Sequence, residues 1–175
     1  MRLLLGGDAF GPVFDSARHR LFHLETRDDY SAENETAALT RWKADETADP
    51  RAASFPAWAA TVSGIVGRGV VVQRARIVTE PHSAYTRYLL ALARYNTDAG
   101  ESIRYLPRHR AEPSDSEAED FWLVDDDAAA YSLFDDRGFW VGAALTHDPA
   151  IVGPAVAIRD RVWAAATPFE EYAGR

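Results

Sequence analysis

The 175-residue chain has no cysteine. Disulfides, thiolate nucleophiles and cysteine-ligated zinc are therefore excluded, and the absence fits a reducing compartment. Lys43 is its one lysine, against eighteen arginines. A phosphate-binding loop of the Gly-x-x-x-x-Gly-Lys type is excluded, because Lys43 follows Thr40-Arg41-Trp42. Long apolar runs are missing too. Leu3–Leu5 stops at Gly6-Gly7-Asp8, and the longest uncharged stretch, Ala52 to Gly67, carries Ser, Pro, Thr and Gly. Neither a signal peptide nor a membrane-spanning helix is expected from them. Positive charge is in deficit: the net charge is −8. Phosphate neutralisation requires a clustered basic surface, so direct nucleic-acid binding is not expected. There is no Gly-x-Ser-x-Gly elbow. The expectation is a cytoplasmic protein with no cofactor and no bound metal. Arginine in place of lysine, with abundant alanine, also suggests a GC-rich, actinobacterial genome.

What is present is a generous supply of core-forming residues. Hydrophobic residues make up 47% of the chain, with 5 Trp, 7 Tyr and 8 Phe. That suffices for a single domain over residues 1–175 without a covalent staple. Residues 1–68 read as a mostly helical part. A short helix is expected over 8–18, a strand over Arg20–Thr26, a helix from a Ser31 N-cap to about Lys43, and a helix from Pro56 to Gly67. Residues 69–175 read as the sheet-containing part. Val70–Val78 is rich in β-branched residues and predicts a strand. Tyr85, Tyr88, Leu89, Leu92 and Tyr95 fall on one face of a helix that Gly100 stops. Strands follow at Ser102–Leu106, Phe121–Val124, Ala129–Phe134 and Phe139–Leu145, and then a helix capped by Asp148 with Pro149 in its first turn. The order predicts an α+β fold in which a mixed sheet packs against helices.

Candidate site residues come from charges inside these elements. Arg74 and Arg76 are two apart on a strand, so they share a face. Charges on a sheet face must be paired or must meet solvent in a cleft. Glu80 stands just past the strand end, Glu101 and Arg104 flank the start of the next strand, and Asp120 precedes Phe121–Val124. Arg74, Arg76, Glu80, Glu101 and Arg104 are expected in one polar cluster, with Tyr85 and Asp120 on the same binding face. The cluster is a structural ion-pair network, a pocket for an anion, a nucleotide-like ligand or a partner's peptide, or a catalytic site; arginine forks would hold an anion there. His19 and His23 read as scattered surface histidines. Asp125-Asp126-Asp127 reads as a solvated strand end, with cation binding as the alternative.

Several stretches resemble an uncharacterised family of small actinobacterial proteins commonly encoded beside helix-turn-helix regulators. They are Leu24-Glu25-Thr26-Arg27-Asp28-Asp29-Tyr30 with Glu35 and Trp42, Arg74 to Tyr85, Asn96, Ala99-Gly100-Glu101, Arg104 to Arg108, and Asp120 to Asp126. The chain departs from the family at Gln73, Thr79 and Ala84. The resemblance implies a non-catalytic accessory or sensor protein with a helix-turn-helix regulator as partner. The alternative is an enzyme acting on a small anionic substrate, with a carboxylate acid/base and an arginine clamp. A looser resemblance is to the phospholipase-D-like half-domain, whose catalytic members carry His-x-Lys-x-x-x-x-Asp. With Asp125 in the Asp place, Ala118 and Asp120 stand where His and Lys belong. The resemblance therefore implies that fold without its catalytic pair.

Overall fold

Val71-Val72, Ile77 and Val78 give the chain its strongest strand, because β-branched side chains pack well on a pleated surface. In the computed structural model, which describes residues 1–5, 9–30 and 36–174, that strand lies near the centre of an eight-stranded sheet. The described elements run β1 (Arg2–Leu5), α1 (Gly11–Ser16), β2 (Arg20–Glu25), α2 (Thr36–Ala44), α3 (Phe55–Gly67), β3 (Val71–Val78), α4 (Ala84–Asp98) and β4 (Glu101–Pro107). There follow α5 (Pro113–Ser116), β5 (Phe121–Val124), β6 (Ala128–Phe134), β7 (Trp140–Thr146), α6 (Pro149–Ala165), β8 (Thr167–Pro168) and α7 (Phe169–Ala173). Ser31, the expected N-cap of the second helix, lies outside the described residues.

The sheet order is β1-β7-β6-β5-β2-β3-β4-β8. Strands β2, β3 and β4 are mutually parallel, and every other neighbouring pair is antiparallel. The fold is thus α+β with a mixed sheet, and the five strands expected in residues 69–175 share it. Strand β2, from the part before residue 69, sits between β5 and β3.

Period-2 alternation sorts the core onto two faces. Leu21, Val72 and Val124 face α1 and α3, where they pack with Phe14 and Ile65. Phe22, Leu24, Ala75, Ile77 and Leu123 face the other way, against Val152, Ala155 and Val162 of α6. Helix α4 lies on the first face. Ser83 caps it, its hydroxyl oxygen accepting from the Thr86 N–H at 3.0 Å. Helix α6 begins as expected, with the Asp148 carboxylate accepting from the Ala150 N–H at 2.9 Å.

Two tight places shape the edges of the sheet. Gly142 lets β1 approach β7, since a Cβ there would sit 2.4 Å from the Leu4 carbonyl oxygen. In the β5–β6 turn Asp125 adopts φ +51°. Its carboxylate accepts the backbone N–H groups of Arg18, His19 and Arg20 at 2.7, 2.8 and 2.8 Å. Asp126 pairs with Arg159. The aspartate run therefore fastens the α1–β2 connection and α6 to the sheet. Among the described residues no helix is long and apolar enough to cross a membrane.

Candidate functional site

The parallel register of β2, β3 and β4 sets charged side chains side by side. His23 stands opposite Arg74 and Glu25 opposite Arg76, while Glu101 and Tyr105 stand opposite Val72 and Arg76. All of these point to the face that carries α3 and α4. Arg74 Nε donates to Glu101 Oε1 at 2.6 Å, and its Nη1 donates to Glu25 Oε1. Arg76 Nε donates to Glu25 Oε2, and its Nη1 donates to the Tyr105 hydroxyl at 3.0 Å. One carboxylate is thus shared by two guanidiniums, and a second carboxylate closes the row.

Burial makes these pairings strong and fixes their protonation. Arg74, Arg76 and Glu101 are 8%, 4% and 2% exposed. Burial alone would raise the Glu25 pKa, but Arg74 and Arg76 together outweigh it and hold the carboxyl far below the usual carboxylate range. The His23 pKa is lowered as well, which for an imidazole favours the neutral form. Burial, with Arg74 and Arg76 nearby, lowers it to about 3 despite Glu25, so the ring is neutral at ordinary pH.

Above this floor lies a cleft of about 1000 Å³. Ten of its twenty-seven described lining residues are Phe, Tyr or Trp. Trp122 stacks on His23 with centroids 4.0 Å apart and planes 9° apart. Phe14 packs on Trp122 at 4.7 Å. The Arg74 guanidinium carbon is 5.8 Å from the ring centroids of both Trp58 and Trp122. Trp58 Nε1 donates to Asn96 Oδ1 at 3.1 Å, which orients the indole. On another wall, Asp120 Oδ1 accepts from the Thr26 N–H at 2.9 Å and Oδ2 accepts from the Tyr30 hydroxyl. Burial raises the Asp120 pKa, and Tyr30 and Thr26 only partly oppose that.

Of the residues singled out in the sequence, Arg74, Arg76, Tyr85 and Asp120 line the cleft, and Glu101 stands behind Arg74. Two lie elsewhere. Arg104 is three residues from Glu101 on the same strand, so it projects from the opposite face. There it covers the Trp163 ring at 4.4 Å and donates to the Trp163 carbonyl at 2.9 Å. Glu80, beyond the end of β3, accepts from the Tyr172 hydroxyl at 2.6 Å. The single polar cluster expected of the five residues is therefore a cluster of three. His23 also departs from the surface position expected for it, being 9% exposed. Sequence reasoning missed Glu25, Trp58 and Trp122 as site residues. The available signal was a histidine and a glutamate two apart in the apolar strand Leu21–Glu25.

The pattern of the family described as Domain of unknown function (DUF6879) matches residues 8–174. No curated protein matches the chain in sequence. Among solved structures, the fold is similar to that of Nuc, a phospholipase D family member from Salmonella typhimurium. Identity is 12%, with 90% of this chain and 86% of that one covered and a TM-score of 0.54. TrmBL2, an archaeal chromatin protein, aligns at 12% identity over 89% of this chain with a TM-score of 0.49. The chain spans about half of that protein, 48% of its length. Likeness at these identities concerns the fold. At the positions where the notional phospholipase D pair would stand, Ala118 has no ionisable side chain and its carbonyl accepts from the Thr26 hydroxyl, and Asp120 bonds Thr26 and Tyr30.

Proposed function

The chain belongs to this family of unknown function, and we propose that it is a non-catalytic sensing module. In this reading it binds a small ligand in the aromatic cleft and acts through a protein partner, a helix-turn-helix transcription regulator. The observation that carries the reading is the charge-balanced floor beneath an open cavity. Arg74 and Arg76 are already matched by Glu25 and Glu101, so neither guanidinium is held in reserve for transition-state charge. Glu25 is held deprotonated and His23 neutral, so neither is poised to exchange a proton near neutral pH. Groups fixed in this way suit recognition, which needs a rigid and pre-organised surface.

One observation favours the enzyme reading. Asp120 is 2% exposed, its pKa is raised, and Tyr30 and Thr26 hold it at the cleft wall, as befits a general acid or base. The two readings separate in one pair of experiments. Capture of endogenous partners on the tagged protein in its source organism should recover a helix-turn-helix regulator. Phosphoester and other small anionic substrates should be left unchanged by the purified protein. Turnover that Asp120→Asn abolishes, with no regulator recovered, overturns the sensing reading in favour of the enzyme.

A further inference from the structure

We infer that the cleft is built for a neutral, planar heteroaromatic molecule that donates a hydrogen bond to His23 Nε2, and not for an anion. The inference rests on the cleft being a ligand site, as proposed above.

Charge is the first argument. Among the described residues, three arginines (Arg74, Arg76, Arg137) and three carboxylates (Glu25, Asp120, Asp135) line the cleft. Glu101 adds a further carboxylate behind Arg74. Among the described residues the lining has no positive excess to attract an anion. An anion seeking the buried guanidiniums would have to displace Glu25 or Glu101 and leave that carboxylate buried without its partner, a heavily unfavourable exchange.

The walls are the second argument. Aromatic residues form 11% of the chain but ten of the twenty-seven described lining residues. Rings packed in stacked and tilted pairs present flat faces and positive edges, which a planar π system complements better than a flexible acyl chain does. The cavity size suits a ligand of two or three fused rings with substituents.

Hydrogen-bonding capacity is the third. His23 Nδ1 is shut in, 3.5 Å from Glu25 Oε1, and among the described residues it has no hydrogen-bond partner. The nearby carboxylate keeps the ring proton on Nδ1, so a bond from His23 to a ligand runs through Nε2 as acceptor. The imidazole is also held neutral, which preserves that lone pair. A ligand with one N–H or O–H would answer it.

Three probes of one shape test this by calorimetry on the intact protein: indole, 1-benzothiophene, which lacks the N–H, and indoxyl sulfate, which adds an anion. Indole should bind at least tenfold more tightly than indoxyl sulfate and several-fold more tightly than benzothiophene. In His23→Phe, which keeps a ring against Trp122, the difference between indole and benzothiophene should vanish while benzothiophene affinity is retained. If His23→Phe fails to fold, the three affinities of the wild-type protein still decide. Tighter binding of indoxyl sulfate overturns the inference while leaving the cleft a ligand site. Equal binding of indole and benzothiophene overturns the role of His23. No binding of any probe at millimolar concentration overturns the inference together with the ligand-site reading on which it rests.

Discussion

Glu25 and Arg76 face one another across the parallel register of β2 and β3, and the same Glu25 carboxylate also holds Arg74. Removing Arg76 leaves a largely buried carboxylate with one guanidinium in place of two. Arg76→Ala should therefore lower unfolding stability by about 3 kcal/mol, the cost of breaking a buried pair. Arg76→Met combined with Glu25→Gln leaves Arg74 matched by Glu101. That double variant should be more stable in urea than the sum of its single changes requires.

Acid should expose the state of His23. Its folded pKa is about 3 against an ordinary 6.5. Between these values the unfolded chain binds the proton and the folded chain does not, so stability falls as pH drops through the window. The slope attributable to His23 is at most about 1.4 kcal/mol per pH unit. Glu25, with its folded pKa depressed, adds loss of the same sign only below its unfolded value of 4.5. Asp120, with its folded pKa raised, opposes both just above its ordinary 3.8. Urea unfolding of wild type and His23→Gln from pH 7 to pH 4.5 should show the flatter profile in the variant.

The fastening of the α1–β2 connection by Asp125 sets a third expectation. Asp125→Ala removes the acceptor of three backbone N–H groups. It should cost about 1.5–3 kcal/mol in urea unfolding, the range for a hydrogen bond to a charged group. Asp125→Gly loses the same bonds but suits φ +51°, and should be less damaging than Ala by up to about 1 kcal/mol.

At the β1 edge, Gly142→Ala would press a methyl group against the Leu4 carbonyl. Hydrogen exchange should show the amides of Arg2–Leu5 losing protection while those of β3 keep theirs. Global stability should fall by less than about 2 kcal/mol.

Much of this architecture is legible in residue periodicity. Val71–Val78, the tyrosine- and leucine-faced α4, and the Asp148-Pro149 start of α6 each carry their own local signal. Strand β1 does not. It is four residues long, with Leu3 and Leu5 62% and 70% exposed, and it exists because β7 offers it an edge. The two-residue β8 is equally a product of tertiary pairing. The site divides in the same way. The shared face of Arg74 and Arg76 follows from their spacing within one strand. Glu25 and His23 join them through a register between strands about fifty residues apart, which no period within one segment can reveal. Placing Arg104 with Glu101 overlooked the alternation itself, since an odd separation along a strand reverses the face.

The seating of β2 between β3 and β5 bears on how the chain is made. Leu21 pairs with Val124, so one edge of β2 stays unsatisfied until roughly a hundred further residues have been synthesised. At about 5–20 residues per second that wait lasts on the order of 5–20 s. During it the nascent chain exposes the apolar strand Leu21-Phe22-His23-Leu24, and the adjoining Glu25 is without part of its electrostatic setting until Arg74 and Arg76 emerge. The ribosome therefore delivers the parts of this sheet out of spatial order, and the strand that ends at its centre is among the first to need protection from other chains.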